Sequence, residues 1–360
     1  GIAMAYRCGA ELHSLEFQHW HHSDTLYPNS ARRLVHNYPD FSEKKQFLGN
    51  DFYEKHGISP GTEISTIVDE DGNPVIKELK ENIATDDSFH SPNVQRVIAK
   101  RFAKRGELFM RYDKSFIETG ELEDIYYNYR VIKNFYDPKE EDIPLGTSAH
   151  TSCGGLKVSE KCETTVPGLF GAGGAIGIYP TVNTCLWSGE TSAKYASERA
   201  EKIGVSEPNT KQINAEKRRV ESFLRSKPDD GLIPSQVQKK IRDLMWDKMW
   251  IIKNREGIKE AISGLQKIRE EDIPKMGLES TTRKGNFAWL HALEVINMLT
   301  VSELMARASL KRKESRGSHV VEEYPEKNDD NWRKIIVIKQ EKGEPKIEAE
   351  KPTCPRKAVE

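Results

Sequence analysis

The run Gly171-Ala172-Gly173-Gly174-Ala175 follows a turn pair, Pro167-Gly168, and two apolar residues, Leu169 and Phe170. Glycines after a short strand let the backbone approach a bound group closely, since any Cβ there would collide with it. An irregular loop carrying Asn183, Thr184, Cys185 and Leu186 comes next, and then a helix from about Glu190 to Ala200. A helix start offers unpaired N–H groups and a positive dipole end, which stabilise negative charge on a ligand. Taken alone, such a run has a plainer meaning as a tight turn. The histidines are the other reactive set. His19, His21 and His22 cluster, and strand alternation sets His19 and His21 on one face. No carboxylate or cysteine stands near them at ligand spacing, so no metal site is expected. Five cysteines, Cys8, Cys153, Cys162, Cys185 and Cys354, are scattered without a C-x-x-C pair. That argues against a disulfide framework and against a zinc or iron–sulfur site held by this chain alone.

The elements that must position these residues can be read coarsely. A chain of 360 residues exceeds one ordinary core, so two or three domains are expected. With 36% hydrophobic and 31% charged residues it carries a large wetted surface. No apolar run approaches the roughly 20 residues that span a bilayer, so no direct membrane span is expected. A net charge of −1 leaves no electrostatic footprint for nucleic acid. The sequence opens at Gly1 in a helical pattern, without a basic and apolar leader. It therefore reads as a fragment of a longer protein in a reduced, cytoplasmic setting. Residues 2–12 read as a short helix, and Leu15 to Trp20 as a strand. Ile64 to Val68 and Pro74 to Ile76 flank Asp71-Gly72-Asn73, a hairpin signal. Val94, Val97, Ile98 and Phe102 predict a helix over 92–105, which carries Arg96. Gly106 ends it, Glu107 to Tyr112 resembles a strand, and Asp137 to Asp142 is a charged break. From about residue 211 the pattern turns helical, with segments Gln236 to Asn254, Gly257 to Glu271 and Asn286 to Lys311. In the last, Trp289, Leu293, Ile296, Leu299 and Leu304 form a stripe best explained as bundle core. The Glu-, Lys- and Pro-rich tail after 340 reads as extended or disordered.

Four stretches, in order, carry a resemblance. Met4 to Leu12 with Glu16-Phe17 resembles a helix and strand that precede a Phe-His-Pro-Thr-Gly motif. Ala149-His150-Thr151-Ser152-Cys153-Gly154-Gly155 looks like a His-Tyr-Thr-Met-Gly-Gly motif. Thr164-Thr165-Val166-Pro167-Gly168-Leu169-Phe170-Gly171-Ala172-Gly173 is similar to an FAD-contacting motif. Ala292 to Leu299, Glu314 to His319 and Asp329-Asp330-Asn331-Trp332 are similar to a C-terminal signature. All belong to the flavoprotein superfamily of succinate dehydrogenase, fumarate reductase and adenylylsulfate reductase. The resemblance implies an α+β multidomain fold with a partial FAD-binding α/β domain, an α+β capping domain and a C-terminal helical domain. Its boundaries would be 1–24 for the end of the N-terminal FAD-binding segment and 25–145 for the cap. Residues 146–203 would complete the FAD-binding domain, 204–310 would be the helical domain, and 311–360 a C-terminal extension. The dinucleotide fingerprint G-x-G-x-x-G should lie upstream of Gly1.

The resemblance also implies FAD as cofactor, contacted by Gly155, Gly171, Ala172, Gly173, Gly174, Asn183, Thr184, Cys185 and Leu186. It implies a small anionic substrate held by His150, His21 and Arg96, and electron exchange with a partner, an iron–sulfur protein subunit. Any membrane association would run through partner subunits, and the fragment alone would be inactive. Departures from the family matter as much. Trp20-His21-His22-Ser23-Asp24 keeps a His but loses the Pro of the first motif. Ile178 to Cys185 replaces a longer His-Gly-Ala-Asn-Arg run and has no Arg. Ser91-Pro92-Asn93 stands where Pro-Arg-Asp would carry the proton-delivering Arg, and Gly174 replaces an acidic residue. A dicarboxylate clamp without its guanidinium forfeits a charge-assisted pair of about 1.5–3 kcal/mol. The expected function is an FAD-dependent oxidoreductase, the flavoprotein subunit of a fumarate reductase/succinate dehydrogenase-like complex. Two alternatives stand beside it: an adenylylsulfate reductase-like enzyme, and a degenerate flavoprotein kept as an assembly partner.

Overall fold

The computed structural model describes residues 1–24, 50–59, 62, 65–75, 99–100, 108–125, 127–177, 182–205, 207–227 and 229–352. They form two compact units, one made of Gly1–Gln18 with Ser152–Glu360 and the other of His19–Thr151. The chain starts with helix α1 (Ile2–Arg7), which buries Ala3, Ala5 and Tyr6. Strand β1 (Leu12–His13) and strand β2 (Gln18–Asp24) follow. The sequence suggested one strand over Leu15 to Trp20. Instead a turn intervenes there, entered through Ser14 at φ 57° and closed by Phe17 N–H donating to the Ser14 carbonyl.

The 19–151 unit is a four-stranded sheet in the order β2-β5-β4-β3, with β3 at Ser65–Asp69, β4 at Leu108–Tyr112 and β5 at Ile143–Ser152. β4 runs antiparallel to both β3 and β5, with Ile67 opposite Met110 and Leu108 opposite Leu145. The expected hairpin at Asp71-Gly72-Asn73 is present. Asp69 Oδ1 accepts the N–H groups of Asp71 and Asn73, and Gly72 supplies φ 80°. Helices α2 (Asn50–His56), α3 (Lys114–Glu118), α4 (Leu122–Ile125) and α5 (Tyr127–Ile132) accompany the sheet. Asp113 caps α3 by accepting the Ser115 N–H. Phe52, Phe116, Leu122 and Ile132 join Ile67, Met110 and Ile143 in a single core. The helix expected over 92–105 lies outside the described residues except at Ala99 and Lys100, which are helical.

The larger unit holds a second antiparallel sheet, β10-β9-β1-β6, with β6 at Gly155–Leu156, β9 at Ile335–Glu341 and β10 at Glu344–Glu350. Leu12 sits between Leu156 and Ile338. Of the two readings of the tail, extended or disordered, residues 344–350 take the extended one. Lys342 and Gly343 both take positive φ, 52° and 90°, the geometry of a tight hairpin turn, and Ile347 and Ala349 pack on the sheet core. Between β6 and β9 run helices α6 (Val182–Ile203), α7 (Thr210–Glu221), α8 (Pro234–Lys248), α9 (Arg255–Lys267) and α10 (Phe287–Lys311). A parallel pair, β7 (Ile252–Lys253) and β8 (Val320–Val321), completes the unit. The helix expected over Gln236 to Asn254 stops at Lys248, because the chain turns to form β7. α6 starts earlier than Glu190 suggested: its buried residues are the serines 188 and 192, so no apolar stripe announces its first turns.

α10 is started by Asn286, whose Oδ1 accepts the Trp289 N–H at 3.0 Å. Its first half places Val295 and Leu299 in a helical core with Val237, Ile241 and Leu265. Its second half places Leu304 and Ala308 in the sheet core with Leu12, Leu156 and Ile338. Past its end lies a buried charge network. Arg312 is 1% exposed and gives Nε and Nη2 to Glu16 Oε1 at 2.9 and 2.8 Å, and Nη1 to Glu314 Oε1 at 2.7 Å. Glu314 also accepts from Arg316 Nε at 2.7 Å and from the Asn328 N–H at 2.8 Å.

His319 is fully buried beside this network. Burial, with Lys253 and Arg312 nearby, holds its imidazole well below the ordinary histidine range against a smaller pull from the Glu16 main chain, so the folded state keeps it neutral. An unfolded chain takes up that proton near pH 6.5 and the folded one does not. Stability therefore falls as the pH drops below about 6.5, by about 1.4 kcal/mol per pH unit from this group. Denaturant titrations of the wild type and His319→Gln between pH 7.5 and 5 check this; the variant should lose one proton's worth of the slope.

Candidate functional site

The glycine run folds as a 3₁₀ turn at Gly173–Ala175, entered from the extended Ala172. The apolar residues before it contribute only an isolated bridge, Phe170 to Glu163, in place of the short strand expected there. Each glycine has its own reason. A Cβ at Gly171 would come within 2.7 Å of Ile176 Cγ2, so this residue is a packing position turned inward. Gly173 has φ 61°, and a Cβ there would meet Cys185 Sγ at 3.4 Å. Gly174 is exposed. The turn thus presents bare main chain at Gly173 and Gly174, while its base is packed.

Two supports fix the turn, and neither is signalled by residue spacing. Ser188, buried in α6, accepts the Gly173 N–H at 2.9 Å and donates to the Thr184 carbonyl at 2.6 Å. One hydroxyl thus fastens the glycine turn to the first turn of α6. On the other side, His13 on β1 shares a hydrogen bond with the Ile176 carbonyl at 3.2 Å and with Ser14 Oγ at 3.1 Å. Burial lowers its imidazole pKa, with only partial opposition from the Ile176 carbonyl. Gly155 closes the base. A Cβ on it would lie 2.3 Å from the Gly177 N and 2.4 Å from the Ala175 carbonyl oxygen.

Asn183, Thr184, Cys185 and Leu186 lie on the first turns of α6. Asn183 is exposed, Thr184 and Cys185 are half-buried, and Cys185 touches the turn at Gly173. Val182, Leu186 and Trp187 are 74, 68 and 55% exposed, an apolar patch beside the bare main chain. Contiguous exposed apolar area of this kind is a candidate ligand or partner surface. Cys153 sits at the end of β5, where burial raises its thiol pKa and keeps it protonated.

Of the anion-binding candidates, His21 lies on β2 and His150 on β5, and these strands are neighbours in one sheet. For both, only the backbone is described. Arg96 lies outside the described residues. His19 on the same strand is buried, with 2% exposure. No group of three or more metal-ligating side chains occurs among the described residues, and no described helix is long and apolar enough to cross a membrane. A cleft of about 750 Å³ in the 19–151 unit, lined by Thr66, Arg111, Lys114 and Asp142, contains none of the candidates. Its arginine is already paired, with Arg111 Nε and Nη2 on the two oxygens of Asp142 at 2.9 and 2.7 Å.

Comparison with known proteins follows the same lines. Residues 238–358 match the model of the fumarate reductase flavoprotein C-terminal family. An uncharacterised FAD-dependent oxidoreductase of Methanocaldococcus jannaschii is 27% identical, over 95% of this chain and 59% of its own length. A chain of the fumarate reductase (CoM/CoB) of Methanothermobacter marburgensis is 24% identical, over 96% of this chain and 60% of its own. The chain thus spans about three fifths of these curated relatives. An E. coli quinol fumarate reductase flavoprotein has the same fold, with a TM-score of 0.77 at 18% identity over 99% of this chain and 62% of that one. The adenylylsulfate reductase of Archaeoglobus fulgidus superposes with a TM-score of 0.68 at 17% identity, over 98% of this chain and 61% of that one.

Proposed function

Since the chain belongs to the succinate dehydrogenase, fumarate reductase and adenylylsulfate reductase flavoprotein superfamily, we propose that it supplies one wall of the FAD site of an oxidoreductase. The observation that carries this is the stapled pair of elements: bare main chain at Gly173–Gly174, held by Ser188 against the exposed first turns of α6. The residues fit the group. A planar ring can lie on main chain that has no Cβ, and Val182, Leu186 and Trp187 offer the apolar surface such a ring covers. Asn183 and Thr184 add hydrogen-bonding side chains at a helix start, where negative charge is stabilised. FAD when bound supplies the two-electron chemistry, and this chain's part is to hold and orient it.

His21 and His150, on neighbouring strands, are proposed to bind a small anion, with Arg96 as a third cationic group. An iron–sulfur subunit is the proposed electron partner, because the five cysteines offer no cluster motif. The segment 178–185 has no arginine where the family's dicarboxylate clamp has one. That observation favours a substrate other than a plain dicarboxylate, with an adenylylsulfate reductase-like reaction as the second reading.

The test is reconstitution of the full-length protein with FAD, followed by anaerobic reduction and a panel of fumarate, succinate and adenylylsulfate with sulfite. A yellow protein that bleaches with dithionite and is reoxidised by one of these supports the reading; one that takes up no flavin refutes it. Turnover of succinate or fumarate at ordinary rates would remove the second reading. Ser188→Ala should weaken FAD by about two- to twelvefold, the loss of roughly one net hydrogen bond's 0.5–1.5 kcal/mol at the staple. Flavin fluorescence titration measures it, and Ser188→Thr should recover most of the affinity if the hydroxyl is the cause.

A further inference from the structure

Buried polar groups nearly always find partners, and those left over call for a ligand, a water or a function. In the larger unit the leftovers gather beside the Arg312 network. Lys253 is 6% exposed, and among the described residues the one hydrogen-bond contact of its ammonium group is the Ile251 carbonyl at 3.5 Å. His319 is 0% exposed; the Glu16 main chain pulls weakly on its ring, but neither Nδ1 nor Nε2 reaches full hydrogen-bond geometry with a described residue. Glu16 is 1% exposed; Arg312 occupies Oε1, and no described residue reaches Oε2. The three belong to one place. Lys253 lies opposite Val321 across the β7–β8 pair, two residues along from His319. The His319 ring meets Phe17, the residue after Glu16, edge-on at 6.3 Å.

We propose that Lys253 Nζ, the two ring nitrogens of His319 and Glu16 Oε2 line a closed hydration site that holds internal water. The identity of the ligand follows from the chemistry of the set. Lys253 and one imidazole nitrogen can only donate, whereas Glu16 Oε2 and the other imidazole nitrogen can only accept. A single ligand that satisfies all four must do both, which water does. A cation finds no free carboxylate pair, since Glu16 is held by Arg312 and Glu314 by Arg312 and Arg316, and an anion would have to lie against Glu16 Oε2, like charge against like. A buried water typically makes about three hydrogen bonds, so two or three molecules would serve these atoms. The site also has a place in the chain. Glu16 and Phe17 lead directly into β2, and the Phe17 carbonyl accepts the Cys153 N–H at the end of β5.

The test is a high-resolution crystal structure of the full-length protein, with Lys253→Met as a second arm. The expected result is ordered water within about 3.2 Å of Lys253 Nζ, a His319 nitrogen and Glu16 Oε2. A direct Lys253–Glu16 ion pair in a dry interior, or density for an ion, would overturn the proposal. In crystals of Lys253→Met the water is expected to persist between His319 and Glu16 Oε2; a variant interior that closes there without water would also overturn the proposal.

Discussion

Gly155→Ala is expected to abolish both flavin binding and the stable fold of the larger unit. The added methyl would stand 2.3 Å from the Gly177 N and 2.4 Å from the Ala175 carbonyl oxygen, and both are backbone atoms. A flexible side chain could swing away from such a contact; the peptide linking Ala175 to Gly177 cannot. It is held by His13 through the Ile176 carbonyl, and Ile176 is itself in the sheet core. The cost should exceed the roughly 1–3 kcal/mol usual for overpacking. The effect is read from the yield of folded protein, its melting midpoint and FAD per chain after reconstitution. Gly189→Ala is the control. Gly189 lies inside α6 with nothing within 4 Å of its added Cβ, so alanine there should gain about 0.5–1 kcal/mol. Equal behaviour of the two variants would show that the contact around Gly155 is not rigid.

Arg312→Met should be the most damaging change outside the glycine turn. The guanidinium serves Glu16, Glu314 and the carbonyls of Trp332 and Lys334, all from a position with 1% exposure. Removing it leaves two buried carboxylates short of a counter-charge, a loss of about 3–5 kcal/mol. Burial already raises the Glu16 pKa against the pull of Arg312. The deficit of the variant relative to the wild type should therefore shrink as the pH falls and Glu16 takes a proton. Urea unfolding at pH 7 and pH 5 measures this. A variant equally destabilised at both would mean that the loss is one of packing alone.

Local signals made some of this legible. α10 could be read almost to the residue, because Asn286 supplies a cap and the apolar spacing never breaks. The glycine run and the motif around His150 could be picked out of the sequence as candidates. Their supports could not. Ser188 and His13 act as single hydrogen-bonding groups whose partners lie 15 and 163 residues away, and no period or spacing reports that. The Glu16–Arg312 pair spans 296 residues and is invisible for the same reason. The Lys- and Glu-rich composition of β10 left extended and disordered readings both open, because composition alone does not choose between them. The information that overrides composition lies in the Lys342-Gly343 turn and in the alternation of Ile347 and Ala349. The turn at Leu15–Glu16 was hidden within an apolar stretch that alternation alone reads as a strand.

At 1.5 Å per residue α10 is about 37 Å long, and one half of it is core to the helices and the other half core to the β10-β9-β1-β6 sheet. Neither layer can open while the other stays closed, since releasing either would strip one side of the same rod. The bundle and the sheet should accordingly behave as a single cooperative element in native-state amide exchange, with Leu12, Leu299 and Ile338 released in one common opening. Differences in sequence character between adjacent stretches of this chain mark changes of surface, and here they do not mark a seam along which the protein comes apart.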